Sequence, residues 1–318
     1  MMRWLKKGQI FDPSDRFPWM KAYAQVPTAI VVEGVLRIFF TTRGLPDEDD
    51  QYISRIGFID VNPVNLSEVL YVHDQPVLNH GKPGTFDAFG VMPGSIHFSQ
   101  DKQEIELYYT GWARRTDVPF STQIGCATTK DNGRTFSRKH IGPLLGLDSQ
   151  NPYLINGPFS YFDNGMQHIW YASGKEWIFA NGKYEIVYQI KHAVKRDRYH
   201  WEREKGFCVP ARITNEAQNR PVVQKLNDKF HMWYCYREAL GFRENDGAGY
   251  RLGHAVSDDL ASWKLDDNFT GLELSESGWD SEMMAYPFII TVMNKTYLFY
   301  NGNYFGKNGF GYAELTGV

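Results

Sequence analysis

Cysteine is scarce in this chain of 318 residues: there are three, Cys126, Cys208 and Cys235. No two of them form a Cys-x-x-Cys pair, so neither a disulfide framework nor a cysteine-based zinc site is indicated. Excess charge is missing as well, with 34 Lys and Arg against 37 Asp and Glu. That balance gives no support for a nucleic acid or an acidic membrane as partner, and a neutral ligand is the easier reading. No apolar run reaches the length of a membrane span, and no signal-peptide-like stretch follows the basic residues 1–8, so a cytoplasmic protein is expected. No cluster of ligating side chains argues for a metal or another cofactor. Helical periodicity is also absent over any segment of consequence.

Aromatic residues are abundant, with 19 Tyr, 21 Phe and 9 Trp. Much of this content falls in an internal repeat. Apolar segments led by a proline begin at Pro27, Pro93, Pro158, Pro221 and Pro287, at intervals of 66, 65, 63 and 66 residues. After each proline come a turn and an aromatic strand, ending at Phe40, Tyr109, Tyr171, Tyr234 and Tyr300. The offset from proline to that last aromatic is 13 residues in four repeats and 16 in the second, as if one hairpin were longer. The turns carry suitable residues, such as Glu33-Gly34, Asp163-Asn164-Gly165, Asn227-Asp228 and Asn294-Lys295. A third strand with small residues follows in each repeat, for instance Ile124-Gly125-Cys126-Ala127 and Leu252-Gly253-His254-Ala255. Segments such as 75–78 and 142–145 read as fourth strands.

Four short antiparallel strands, five times over, predict an all-β fold: one five-bladed β-propeller domain over residues 1–318. The fifth repeat ends after its third strand, so the N-terminal segment around residues 8–12 is expected to supply the fourth and close the ring. His192 and His254, mid-strand, are expected to be packing residues.

In such a blade the start of the first strand and the end of the second lie at one end of the sheet. Residues just before each proline and just after each aromatic pair are therefore expected to converge on one mouth. This selects Gln25, Arg43, Trp112, Asn156, Arg220, Tyr236, Arg237, Asp280, Tyr286 and Asn301 as substrate-binding candidates, a mixture of amides, charges and rings suited to polyols. Asp87, Glu216 and Glu282 stand six, five and five residues ahead of their prolines. They are the candidate catalytic carboxylates, since glycoside cleavage needs two carboxyl groups roughly 5–10 Å apart.

With its blade count, blade length and the turn Ser257-Asp258-Asp259-Leu260-Ala261-Ser262-Trp263, the chain resembles the furanosidase-like five-bladed propellers. That superfamily contains arabinanases, β-xylosidases, invertases and levansucrases. The resemblance implies a carbohydrate ligand and, in the arabinanase branch, an Asp before the first two prolines and a Glu-Gly-Pro in the third blade. Here those positions hold Val26, Met92 and Asn156-Gly157-Pro158, none of which can move a proton at neutral pH. The segments Tyr23-Ala24-Gln25-Val26-Pro27-Thr28 and Ser275-Glu276-Ser277-Gly278-Trp279-Asp280-Ser281-Glu282 resemble glycosidase-like propellers of surface-polysaccharide gene clusters. Three readings stay open: an enzyme that hydrolyses or transfers a sugar or sugar-nucleotide; a sugar-binding propeller without chemistry; and a scaffold for other proteins. Oligomeric state is not legible.

Overall fold

In a computed structural model that describes residues 2–197, 200–245, 247–266 and 268–317, the chain is almost entirely β-strand. The one helical element among the described residues is a single turn, Asn303–Gly306. The strands form antiparallel meanders in chain order. The first comprises Ala22–Val32, Val35–Arg43, Ser54–Val61 and Val69–Val72. The second comprises Gly90–Phe98, Ile105–Arg114, Phe120–Thr129 and Ser137–Arg138, and a single parallel bridge, Ser54 to Gly90, joins it to the first. The third comprises Ile155–Asp163, Met166–Ala180, Lys183–Lys195 and Trp201–Arg203, and the fourth Glu216–Leu226, Lys229–Glu238, Arg251–Ser257 and Lys264–Leu265.

The last sheet runs Ala285–Val292, Lys295–Asn301, Phe310–Gly317 and then the N-terminal strand Met2–Phe11, with Phe269–Thr270 beyond it. Met2–Phe11 pairs antiparallel with Phe310–Gly317 along its length, so the two ends of the chain share one sheet.

Hairpin chemistry explains the repeat. Four of the five first hairpins turn at Glu33-Gly34, Asn164-Gly165, Asn227-Asp228 and Met293-Asn294, and every one of these residues has positive φ, between 47° and 80°. Two consecutive positive φ values match the right-handed twist of the strands they join. The last turn lies one residue earlier than its Asn-Lys pair suggests. The second hairpin is the long one: its turn over residues 99–104 is tied by Ser99, whose N–H donates to the carbonyl of Glu104. The segments at 75–78 and 142–145 are not the fourth strands. They return to the third strand instead, with Val77 N–H donating to Ile56 O at 2.9 Å and Leu144 N–H to Ile124 O at 2.8 Å.

Between the sheets sit Trp170, Trp233, Phe39, Phe40, Tyr109 and Tyr300, all fully buried. Two histidine stacks repeat in successive meanders. His168 Nδ1 faces His192 Nε2 at 3.0 Å, and His231 Nδ1 faces His254 Nε2 at 3.0 Å, each stack resting on a tryptophan, Trp170 or Trp233. Burial holds His168 and His231 below the ordinary imidazole range, and the neighbouring His192 adds to the effect at His168. Their folded pKa lies below the unfolded value of roughly 6.5, so the unfolded chain binds more protons between the two and stability falls as pH drops through that window. The melting temperature is expected to decline between about pH 7 and pH 5, above carboxylate titration, and the double variant His168→Gln, His231→Gln to flatten the decline. A flat wild-type profile over that range would remove the assignment.

Candidate functional site

The residues directly ahead of the repeat prolines carry an unusual backbone. Val26, Gly157, Arg220 and Tyr286 have φ of 59°, 59°, 55° and 53°, and each sits at a register shift where the first strand bulges against the second. Positive φ is strained for a β-branched residue such as Val26 and persists only where neighbours enforce it. They do so here by capturing the N–H. Val26 donates to Asn301 Oδ1 at 2.8 Å, Gly157 to Thr110 Oγ1 at 3.0 Å, and Arg220 to the side chain of Asn219 at 2.7 Å. A bulge re-aims the side chain at its site.

What it re-aims them toward is one cavity of 490 Å³, onto which all five meanders deliver the residues at their prolines: Val26, Met92, Gly157, Arg220 and Tyr286. One wall is aromatic. Trp112 packs on Phe120 with centroids 4.4 Å apart, Phe120 meets Trp177 edge-on at 5.4 Å, and the Trp112 indole N–H points at Met92 Sδ, 2.9 Å away. Trp177 comes from the long hairpin Met166–Ala180 and Lys183–Lys195, which also contributes Lys183, Glu185 and Tyr188. Amides complete the surface: Gln25, Asn156 and Asn219.

Charge on the cavity is lopsided. Among the described residues, Arg43, Arg220, Arg237, Arg243 and Lys183 line it against one carboxylate, Glu185, which lies 3.6 Å from both Lys183 and Arg243. Arg220 is 1% exposed; its Nη2 donates to Thr28 Oγ1 at 2.7 Å, its Nε has no partner, and burial pulls its pKa down to about 9. Arg237 lies 3.5 Å from the Phe242 ring centroid and donates to the carbonyls of Glu238 and Ala239. Burial opposes its charge, but Tyr188 and Tyr250 outweigh that and hold its pKa above the usual arginine value. Tyr188 and Tyr250 are themselves hydrogen-bonded through their hydroxyls. Arg43 stacks over Tyr23 at 4.7 Å and Tyr52 at 5.7 Å; burial, and to a lesser extent the nearby Arg243, lower its pKa. Five buried polar atoms of the lining have no hydrogen-bond partner: Gln25 Oε1, Asn156 Oδ1, and the Nε of Arg43, Arg220 and Arg237.

Of the candidates read from the sequence, Gln25, Arg43, Trp112, Asn156, Arg220, Arg237 and Tyr286 line this cavity. Asp87, Glu216, Glu282, Asp280, Tyr236 and Asn301 do not. Asp87 is fully buried between meanders, accepting from Arg138 Nε at 2.7 Å and the Tyr109 hydroxyl at 2.8 Å. Asp280 repeats that clamp in the last sheet, accepting from Lys6 Nζ at 2.8 Å and the Tyr300 hydroxyl at 2.9 Å. In both, the preceding aromatic, Phe86 or Trp279, stacks on the tyrosine, and Gly111 or Gly302 leaves room for it: a Cβ would come within 2.6 Å of the Phe86 ring or 2.5 Å of the Trp279 ring. These aspartates hold the repeat together, with their cations on the outer strands.

Glu216 is buried, and its oxygens accept from Arg212 N–H at 2.7 Å and Gln218 Nε2 at 2.9 Å. Glu282 is exposed. Tyr236 lies under Arg212, and Asn301 acts from behind the wall by holding Val26. Sequence reasoning missed Trp177, Glu185, Arg243 and Phe305, which reach the cavity from the long hairpin, a loop and the helical turn; strand spacing gave no signal, since Tyr171 to Ile190 in the third repeat spans 19 residues and Tyr234 to Leu252 in the fourth spans 18. Among the described residues, no group of three or more His, Cys, Asp or Glu could hold a metal ion, and no helix is long and apolar enough to cross a membrane.

No protein-family model matches the chain. The uncharacterized protein Rv1502 of Mycobacterium tuberculosis is 33% identical over 316 residues, which is 99% of each chain, and its counterpart in a second strain matches equally. This chain belongs to the Rv1502 family. The family's fold has well-defined neighbours. A solved glycoside hydrolase superposes with a TM-score of 0.75 at 15% identity, over 99% of this chain and 92% of its own. A thermostable family-43 glycoside hydrolase does so with a TM-score of 0.67 at 15% identity, over 95% and 91%. At such identity the likeness is one of fold, a propeller-type fold shared with these hydrolases.

Proposed function

We propose that this family member is a single-domain five-bladed propeller, closed by its N-terminal strand, that binds a carbohydrate in its central cavity without the two-carboxylate chemistry of glycosidases. Closure is supported by Asn301 of the last sheet capturing Val26 of the first meander, just as Thr110 of the second captures Gly157 of the third. The observation that carries the function is the cavity itself. It lies where five first strands begin, in a fold shared with glycoside hydrolases, and presents a Trp112–Phe120–Trp177 wall opposite amides and arginines. Rings stack on the apolar faces of sugars while amides and cations bond hydroxyls. Hydrolysis by an acid and a base is disfavoured because, among the described residues, only one carboxylate reaches the cavity.

Calorimetry against a panel of mono- and oligosaccharides and sugar-nucleotides tests this reading. Binding is expected, and Trp112→Ala should weaken it about tenfold, corresponding to ~1.4 kcal/mol. A panel that leaves the protein untouched, or a Trp112→Ala variant that binds as well as wild type, would discard it. Glu185 supports a second reading, in which one acid/base serves a transfer reaction from an activated donor. Product formation that Glu185→Gln abolishes would favour that enzyme over a pure binder.

A further inference from the structure

Three arginines of the described chain are buried: Arg37, Arg220 and Arg237. Arg37 shows how this protein normally handles such a group. Its Nε and Nη2 meet the two oxygens of Asp60 at 2.7 Å each, a bidentate pair with both partners out of water. Among the described residues, Arg220 and Arg237 have no carboxylate within ion-pair distance, and both stand on the central cavity. Arg43, on the same cavity, is also without one, and the neighbouring Arg243 adds to the positive potential it experiences. A buried cation without a counter-charge costs several kcal/mol, and a fold retains it where something else supplies the charge. The guanidinium fork matches phosphoryl and carboxylate oxygens, which take two parallel N–H donors.

Resting on the carbohydrate reading above, we infer that the ligand is a sugar bearing an oxyanion group, phosphoryl or carboxylate, and that Arg220 and Arg237, with Arg43 beside them, hold that group on the cavity floor. The aromatic wall of Trp112, Phe120 and Trp177 takes the ring, and the arginines take the charge. The near-neutral composition of the whole chain conceals this, because the balancing carboxylates, Asp87 and Asp280 among them, are spent on clamps elsewhere.

The test follows thermal stability of the full chain in inorganic phosphate, glucose 1-phosphate, glucuronate and glucose, each against sodium chloride at matched ionic strength. The anions are expected to raise the wild-type melting temperature beyond the chloride control, in proportion to the logarithm of concentration once saturating. Phosphoryl and carboxylate sources are separated by whether glucose 1-phosphate or glucuronate acts at the lower concentration. Arg220→Met is expected to melt higher than wild type in chloride, since it removes an uncompensated buried cation, and to lose at least tenfold in anion sensitivity. Arg37→Met is the control in the opposite direction, because it strands Asp60 and lowers the melting temperature.

Phosphate and glucuronate that move wild type no further than chloride overturn the inference, as does an Arg220→Met variant with unchanged anion response. Neutral sugars that bind as well as anionic ones sink it while leaving the carbohydrate reading intact. A response to phosphate that no sugar phosphate exceeds supports the arginine site and sinks the carbohydrate reading.

Discussion

Removal of residues 2–11 is expected to leave a chain that no longer folds cooperatively. That segment is the outer partner of Phe310–Gly317 along nearly its whole length, and it buries Met2, Trp4 and Phe11, at 5%, 2% and 3% exposure. Trp4 meets Trp233 of the fourth meander edge-on at 5.9 Å, and Phe11 meets Phe40 of the first at 5.2 Å, so one strand ties the last sheet to both neighbours. Truncating a single buried Trp or Phe to Ala costs roughly 3–5 kcal/mol, against a total stability of roughly 5–15 kcal/mol for a typical domain. Losing two such residues together with a strand's ladder exceeds most of that range. The measurement is circular dichroism and a thermal melt of the deletion variant, with Trp4→Ala as the graded version. Trp4→Ala should remain folded but melt lower, by an amount corresponding to roughly 3–5 kcal/mol. A deletion variant that melts within a few degrees of wild type would show that the sheets hold together without the strand.

Asp87→Ala is expected to be the most damaging single substitution among the three candidate catalytic carboxylates, and its damage should be to stability alone. Its side chain is completely buried and balances Arg138 while accepting from Tyr109 and Thr85. Removing Asp87 leaves Arg138, 20% exposed, charged and unpaired, at a cost toward the lower end of the roughly 3–5 kcal/mol of a fully buried pair. The tyrosine hydroxyl loses its acceptor as well, which adds to the loss. Since Asp87 lies outside the cavity, ligand affinity measured on the folded fraction should match wild type, whereas Trp112→Ala should show the reverse pattern. Urea titration and calorimetry on the same preparations separate the two. A variant as stable as wild type but unable to bind or turn over sugar would restore Asp87 to the working site.

The repeat was readable because each blade must make the same hairpins. Two-residue turns at positive φ favour Gly, Asn or Asp, of which each such turn here holds at least one, and strands that pack on both faces favour aromatics, so the repeat marked by Pro27, Pro93, Pro158, Pro221 and Pro287 shows in the sequence. The convergence of their flanking residues was readable for the same reason, and Gln25, Asn156, Arg220 and Tyr286 do meet in one cavity. The direction of side chains a few residues upstream was not. Asp87 and Asp280 precede their prolines at a spacing like that of Glu216 and Glu282, yet the first two turn between sheets to clamp Tyr109 and Tyr300, while Glu282 faces solvent.

Spacing alone therefore indicated the all-β architecture and which end of the strands meets at the cavity, since both depend on local periodicity and turn chemistry. The tertiary structure decided the character of that site. Whether a charged side chain meets a partner or an open cavity depends on contacts between residues far apart in the chain, such as Lys6 with Asp280 or Arg138 with Asp87. Only after those pairs are made does it emerge that Arg220 and Arg237 are left on the cavity without a counter-charge among the described residues.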